Sequence, residues 1–291
     1  MIPPAFDYAA PKTLPEAVAL LGQNPEAKIL AGGHSLIPLM KFRLASPALL
    51  VDINRLEGLA YIREDAERGW LKIGALTRET DLDDSDLIRK KYPLLADTTR
   101  TIADPVVRNL ATLGGNLAHA DPANDHPAAM LAYGAQVVAA GPHGERAIPI
   151  ESFFEGPFQT GLAHDEILTE IRIPVPKPNS GGAYFKVERK VGDFATAAVA
   201  AQITLNGRGD CESVGIGLTN VGLTPIKATK AEEALKGKRP DDAAIRRAAQ
   251  LAAEAAEPTG DQRGSEDYKR ALVKTLTVRA LNKAVERAKG G

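Results

Sequence analysis

Ala111-Thr112-Leu113-Gly114-Gly115-Asn116 sets a glycine pair between a threonine and an asparagine, and Asp121-Pro122 and Asn124-Asp125 follow closely. An earlier stretch answers it: Lys28-Ile29-Leu30-Ala31-Gly32-Gly33-His34-Ser35. Both put a double glycine beside a small hydroxyl residue, after a short apolar run that reads as a strand. A glycine pair lets the backbone turn tightly and lets a ligand approach where a Cβ would clash. Consecutive N–H groups in such a turn form a concave anion site, and a helix starting just after it adds a favourable dipole. Two such turns from distant parts of one chain can close on one polyanion from two sides. Ser35 and Thr112 can add hydroxyl donors, and Asn116 can orient the loop or a ligand group. Neither stretch matches Gly-x-Gly-x-x-Gly or the P-loop, which argues against the common dinucleotide and NTPase readings. Taken singly, either pair also reads as nothing more than a tight turn.

Working outward, Thr13 and Glu16 have the spacing of a capping box, with Pro15 tolerated in the first turn and Gly22 as the stop. Residues 28–31 form a strand, Ser35 caps a helix from Leu36, and 48–53 (ALLVDI) read as a buried parallel strand. Residues 1–55 thus form a small α/β lobe. Strands are expected at 70–73, 136–140 and 167–173, with helices at 81–89 and 93–99, so 56–177 form an α+β lobe. Pro174, Pro176, Pro178 and Asn179-Ser180-Gly181-Gly182 mark a linker, which places a domain boundary between 1–177 and 178–291. Beyond it come strands at 183–189, 195–206 and 211–218, with Asn206-Gly207 as a hairpin signal. Helices follow at 228–235, 241–256 and 265–288, the last capped by Ser265. The fold class is α+β.

A chain of 291 residues is long for one core, and two or three compact units are expected. With 44% apolar and 25% charged residues and a net charge of −1, it has an ordinary globular composition and no basic excess for nucleic acid. The N-terminus has neither a basic nor an apolar signal region, and 195–205 is too short to span a bilayer as a helix. The one cysteine, Cys211, rules out an intrachain disulfide and a thiolate-held iron–sulfur cluster. Redox chemistry here therefore needs an organic cofactor or metal centres on another chain, and the expected compartment is the cytoplasm. His119, Asp121, Asp125 and His126 are potential metal ligands, but their spacing is that of no familiar zinc site and their prolines read as turn chemistry, so no metal is assigned. No Gly-x-Ser-x-Gly is present and Cys211 has no activating neighbour, so no catalytic residue is assigned either.

The two glycine motifs, spaced this way, resemble the FAD-binding medium subunit of molybdenum hydroxylases, of the carbon monoxide dehydrogenase type within the xanthine dehydrogenase family. The likeness runs through Phe6-Asp7-Tyr8, Ile102-Ala103-Asp104-Pro105, Ile171-Arg172-Ile173-Pro174, Arg189-Lys190-Val191-Gly192-Asp193 and Gly217-Leu218-Thr219-Asn220-Val221. It implies a PCMH-type FAD-binding domain of two lobes, then a C-terminal three-stranded antiparallel sheet with a helix bundle. It implies FAD between the lobes, its pyrophosphate meeting both glycine stretches. By position, Ile29, Leu30, Ala31, Gly32, Gly33, His34, Ser35 and Leu36 line the first turn, and Thr112, Leu113, Gly114, Gly115 and Asn116 the second. Ile102 falls near the flavin or adenine, Asp125 hydrogen-bonds the cofactor, and Leu168, Lys186 and Phe194 approach it. Relatives tend to carry tyrosine where this chain has Phe194, which keeps the stacking face and loses the hydroxyl.

The resemblance further implies a large subunit holding a molybdenum cofactor and a small subunit with [2Fe–2S] clusters, assembled as a dimer of heterotrimers. Electrons would leave through FAD to an external acceptor such as a quinone, with the complex at the inner face of the membrane. Alternatives are a stand-alone FAD-dependent oxidoreductase, the medium subunit of an aldehyde or N-heterocycle dehydrogenase, and an assembly module that has lost the cofactor.

Overall fold

The computed structural model describes residues 1–290. In the first lobe the strand Leu49–Asp52 lies between Asp7–Ala9 and Ala27–Leu30, parallel to both. The helix Leu14–Gln23 buries Ala17, Val18 and Leu21 in the core that includes Val51 of the central strand. Thr13 caps it by accepting from the Glu16 N–H at 3.3 Å. The Glu16 carboxylate reaches back to the Lys12 N–H, one residue earlier than a capping box requires. Gly22 does not stop the helix; Asn24 does, its side-chain amide donating to the Leu20 carbonyl at 2.7 Å.

The middle lobe is built on a five-stranded antiparallel sheet ordered Ile62–Asp65, Trp70–Gly74, Ile167–Pro174, Gln136–Gly141, Gly144–Pro149. The three strands expected from sequence are its centre, where apolar side chains are continuously buried. The single helix expected over 81–89 is two, Glu79–Asp84 and Asp86–Lys91, because Ser85 adopts an extended backbone and caps the second by accepting from the Ile88 N–H. Pro93–Arg100 follows.

The second unit carries the antiparallel sheet Ser180–Glu188, Ala195–Leu205, Cys211–Thr219, to which the short strand Ile226–Lys227 adds an edge. Its first strand takes in Ser180-Gly181-Gly182, which the sequence marked as linker. The hairpin after Ala195–Leu205 is present, but Gly209 rather than Gly207 supplies the left-handed residue, at φ +83°. The helices Thr229–Leu235, Asp242–Ala255 and Glu266–Ala288 form the bundle. Strand Ala195–Leu205 is buried on both faces. Ala197, Val199, Ala201 and Ile203 belong to the bundle core, whereas Ala195, Ala198 and Ala200 join the core of the middle lobe. The helix His126–Tyr133 is buried along its whole length. Gly215 and Gly217 let the C-terminal sheet press on its Ala132 and Ala128 carbonyls. No helix among the described residues is long and apolar enough to cross a membrane.

Candidate cofactor site

The fold brings the two glycine stretches into contact. A Cβ at Gly32 would meet the Leu110 carbonyl oxygen and lie 2.8 Å from the Ala111 Cα, so only glycine lets the first stretch lie against the segment leading into the second. A Cβ at Gly115 would lie 3.9 Å from that of Ala31. Gly33 is left-handed, at φ +76°. The backbone N–H groups of Gly32, Gly33, His34, Ser35 and Leu36 donate to no other described residue, while the Gly33 and Ser35 carbonyls accept from Ile37 and Leu39. The carbonyls are thus consumed by the helix Leu36–Lys41, and the N–H groups are left as a run of unpaired donors, the arrangement that binds an anion. Ser35 makes no side-chain cap bond, because its backbone is already helical at φ −104°, ψ −51°, so its hydroxyl stays available.

The second stretch departs from the expectation of a turn. Gly114 and Gly115 lie in the first turn of the helix Leu113–His119, whose N-cap is Thr112. The Leu113 and Gly114 N–H groups donate to the Thr77 and Ala75 carbonyls, at 3.1 and 3.0 Å. The Gly115 N–H donates to the Thr112 hydroxyl at 3.1 Å, and the Asn116 N–H to the Thr112 carbonyl at 2.9 Å. None of these four N–H groups is free for a ligand. Gly114 is required by packing instead, since a Cβ there would lie 2.5 Å from the Ala75 Cβ. What this stretch can offer a ligand is close approach, a helix N-terminus and the Asn116 side chain, whose Oδ1 is buried without a partner.

A second polar group lies beside the first. Asn124 donates to the Asn116 carbonyl at 2.8 Å and so ties the second stretch to Asp125. Asp125 is buried and accepts from the Tyr184 hydroxyl at 2.6 Å and the Lys186 ammonium at 2.9 Å. Lys186 also donates to the Thr101 carbonyl at 3.0 Å and lies 3.2 Å from Glu188. Its side chain is 2% exposed, so it is not a solvated strand residue. Burial pushes the Asp125 carboxyl up, against the opposing pull of Lys186 and Tyr184. Burial, reinforced by the Asp125 charge, pushes the Tyr184 phenol well above its ordinary value, so it stays a donor.

Ile102 is buried beside Thr101, and Gly192 packs against Ala103, which brings the 189–194 loop and Phe194 to the same region. Phe194 is 47% exposed. Leu168 is buried in the middle-lobe core with Leu113 and Leu117, beneath the second glycine helix, and Ile29 and Leu30 are half-buried strand residues. The four candidate metal ligands go separate ways. His119 packs on Phe158, Asp121 accepts from the Ala123 N–H, Asp125 holds Lys186, and His126 meets Glu79 at 2.8 Å. Among the described residues no group of three or more such side chains can hold a metal ion.

Three residues here escaped the sequence reading. Tyr184 lies two before Lys186 on the same face of a strand, and that alternation was the available signal. Asn54 and Arg78, which bond to the carbonyls of Ala31 and Leu110, follow no spacing rule. The residues fit FAD at the first stretch, where the unpaired N–H run suits a pyrophosphate, and at Asn116, where a buried acceptor awaits a donor.

Residues 4–176 match the family model described as the FAD binding domain in molybdopterin dehydrogenase, and residues 182–284 match the carbon monoxide dehydrogenase flavoprotein C-terminal domain. The chain is 46% identical, over 98% of each chain, to the carbon monoxide dehydrogenase medium chain of Hydrogenophaga pseudoflava. It is 38% identical to the glyceraldehyde dehydrogenase medium chain of Sulfolobus acidocaldarius, over 97% of this chain and 99% of that one. The solved structure of the Hydrogenophaga pseudoflava carbon monoxide dehydrogenase that lacks the Mo-pyranopterin moiety superposes with a TM-score of 0.95 at 47% identity, covering 99% of each chain. The two matched domains, the coverage of the relatives and the shared fold lead to one conclusion: this chain belongs to the FAD-binding medium subunits of the molybdenum hydroxylase family.

Proposed function

We propose that this chain is the electron-transfer flavoprotein of a molybdenum-containing dehydrogenase, most like the carbon monoxide dehydrogenase medium chain. The observation that carries the reading is the run of five unpaired N–H groups from Gly32 to Leu36, pressed against the second glycine stretch. Bound there, FAD supplies exchange of electrons between the [2Fe–2S] clusters of a small partner subunit and an external acceptor, a quinone in this branch. Gly32, Gly33, His34, Ser35 and Leu36 take the pyrophosphate through backbone N–H groups. Asn116 offers a buried acceptor, and Asp125, held by Tyr184 and Lys186, is tied to that stretch through the Asn124 bond to the Asn116 carbonyl. The Lys186 ammonium is paired with Asp125 at 2.9 Å and Glu188 at 3.2 Å, so its charge is largely offset before it reaches a neighbouring ring. Phe194 offers a stacking face without a proton donor.

Substrate oxidation belongs to the molybdenum cofactor of a large partner subunit. The assembly is a dimer of heterotrimers in the cytoplasm, docked at the inner face of the membrane when it delivers electrons to quinone. The test is a visible absorption spectrum of the full chain before and after addition of FAD and desalting, repeated on the assembled complex. Stoichiometric flavin in either supports the reading; an active complex without flavin overturns it.

A further inference from the structure

The two glycine stretches are held together by side chains that belong to neither. Asn54 follows the central strand of the first lobe, and its side-chain amide donates to the Ala31 carbonyl at 2.8 Å and to Asp52 Oδ1 at 2.7 Å. Asp52 is itself fixed, accepting from the Asn54 N–H at 2.9 Å and from the Tyr8 hydroxyl at 2.6 Å. Arg78 comes from the middle lobe. One arm of its guanidinium donates to Asn54 Oδ1 at 2.7 Å, and the other donates to the Leu110 carbonyl. Its own N–H donates to Asp81 at 3.1 Å, which anchors it at the start of the helix Glu79–Asp84.

Ala31 immediately precedes Gly32. Leu110 lies one residue before Ala111 and carries the carbonyl against which Gly32 packs. The network therefore grips each stretch at its entrance and joins the grips through one amide and one fork. Asparagine suits the centre because its amide both donates and accepts. Arginine suits the bridge because its planar fork reaches two acceptors that diverge from one point. Both side chains are half-buried; the bonds of Asn54 to Ala31 and to Arg78 are partly sheltered from water, whereas the Arg78 bond to Leu110 lies at the surface.

We propose that Asn54 and Arg78 form an inter-lobe clamp that sets the separation of the two glycine stretches, and that both are positioning residues for the cofactor's pyrophosphate. The inference rests on the FAD reading above. Neither residue needs to touch the cofactor: the clamp acts through Ala31 and Leu110. Because the bonds run in series, breaking one releases the whole, and losses at the two positions do not multiply.

The test is a double-mutant cycle on the full chain, with FAD affinity read by flavin fluorescence and melting temperature measured alongside. Arg78→Met and Asn54→Leu each remove hydrogen bonds to or from a charged group, and each is expected to weaken FAD binding about tenfold. The double variant is expected to bind no worse than the weaker single one. Arg78→Lys keeps the charge and one arm and restores part of the affinity, which also covers the case where Arg78→Met fails to fold. A staple that only stabilises the fold would lower the melting temperature and leave the affinity of the folded protein unchanged, and that result overturns the clamp. Losses that multiply to about a hundredfold overturn it as well. If the isolated wild-type chain binds no FAD, the same cycle is run on the assembled complex after flavin removal. A complex that takes up no FAD sinks the functional reading and the clamp together, whereas equal affinity in all four proteins sinks the clamp alone.

Discussion

Gly114 and Gly115 are adjacent, chemically identical and both in the first turn of one helix, yet only Gly114 is expected to lose stability on substitution by alanine. At Gly114 the new Cβ would lie 2.5 Å from the Ala75 Cβ, 2.6 Å from the Ala75 oxygen and 2.8 Å from the Ala75 Cα. Carbon atoms prefer about 3.5–4.0 Å, so the helix must retreat by about 1 Å from a backbone that cannot yield. Such overpacking costs about 1–3 kcal/mol, and the retreat stretches the 3.0 Å bond from the Gly114 N–H to Ala75, about 1 kcal/mol more. The gain in helix propensity offsets about 1 kcal/mol. The net loss is about 2 kcal/mol, or roughly 4–8 °C in melting temperature for a unit of this size. At Gly115 the new Cβ is crowded by Thr112 Oγ1 alone, at 2.7 Å, which can rotate away, while the Ala31 Cβ at 3.9 Å is an ordinary contact. The lost cap costs about 1 kcal/mol and the propensity gain returns about as much, so the variant stays near wild type. Thermal and urea unfolding of the two variants decides the matter. If Gly115→Ala is as destabilised as Gly114→Ala, or more so, the packing argument is wrong.

Tyr184→Phe removes a 2.6 Å bond to a buried carboxylate and is expected to cost about 1–3 kcal/mol, while Lys186→Met strands that carboxylate without a cation and is expected to cost about 3–5 kcal/mol. Urea unfolding of both checks the order, and a Lys186 variant no worse than the Tyr184 one contradicts the assigned ion pair. The Arg146 guanidinium, bonded to Glu166 at 2.6 Å, holds that carboxyl below its usual range. A depressed folded value means the pair contributes stability above the ordinary glutamate range and loses it as pH falls through the folded value. Arg146 is half exposed, so Arg146→Met should cost under about 1 kcal/mol at pH 7, and the gap from wild type should close in acid. A gap of constant size across that range refutes the assignment.

Much of the architecture was legible because it rests on local rules. The apolar run at 48–53 became the central parallel strand, Thr13 and Ser265 became caps, and strand Ala195–Leu205 was plain from its mostly small and apolar side chains and the Asn206-Gly207 signal after it. What failed were choices between two locally acceptable partners. Gly22 yielded to Asn24 because the Asn24 side-chain amide satisfied the Leu20 carbonyl and its backbone N–H that of Leu21. Ser85 split one helix into two, and Ser180-Gly181-Gly182 entered a strand because a packed helix lay over it.

At the site, the sequence identified which stretches meet but not what each does. Both glycine pairs read alike as anion turns, and only the tertiary bonds from Leu113 and Gly114 to Thr77 and Ala75 show that the second has already spent its donors. Asp125 and Lys186 came from family position, and the structure adds that they bind each other. Asn54 and Arg78 left no pattern at all, because their partners are backbone carbonyls 23 and 32 residues away.

The most direct test is amide hydrogen exchange at Gly32–Leu36 and at Leu113–Asn116, with and without saturating FAD. The account predicts fast exchange of the first group in the free chain and strong protection on binding. The second group, already bonded within the chain, should change little. Flavin bound with no added protection from Gly32 to Leu36 would contradict the claim that this run of N–H groups holds the cofactor.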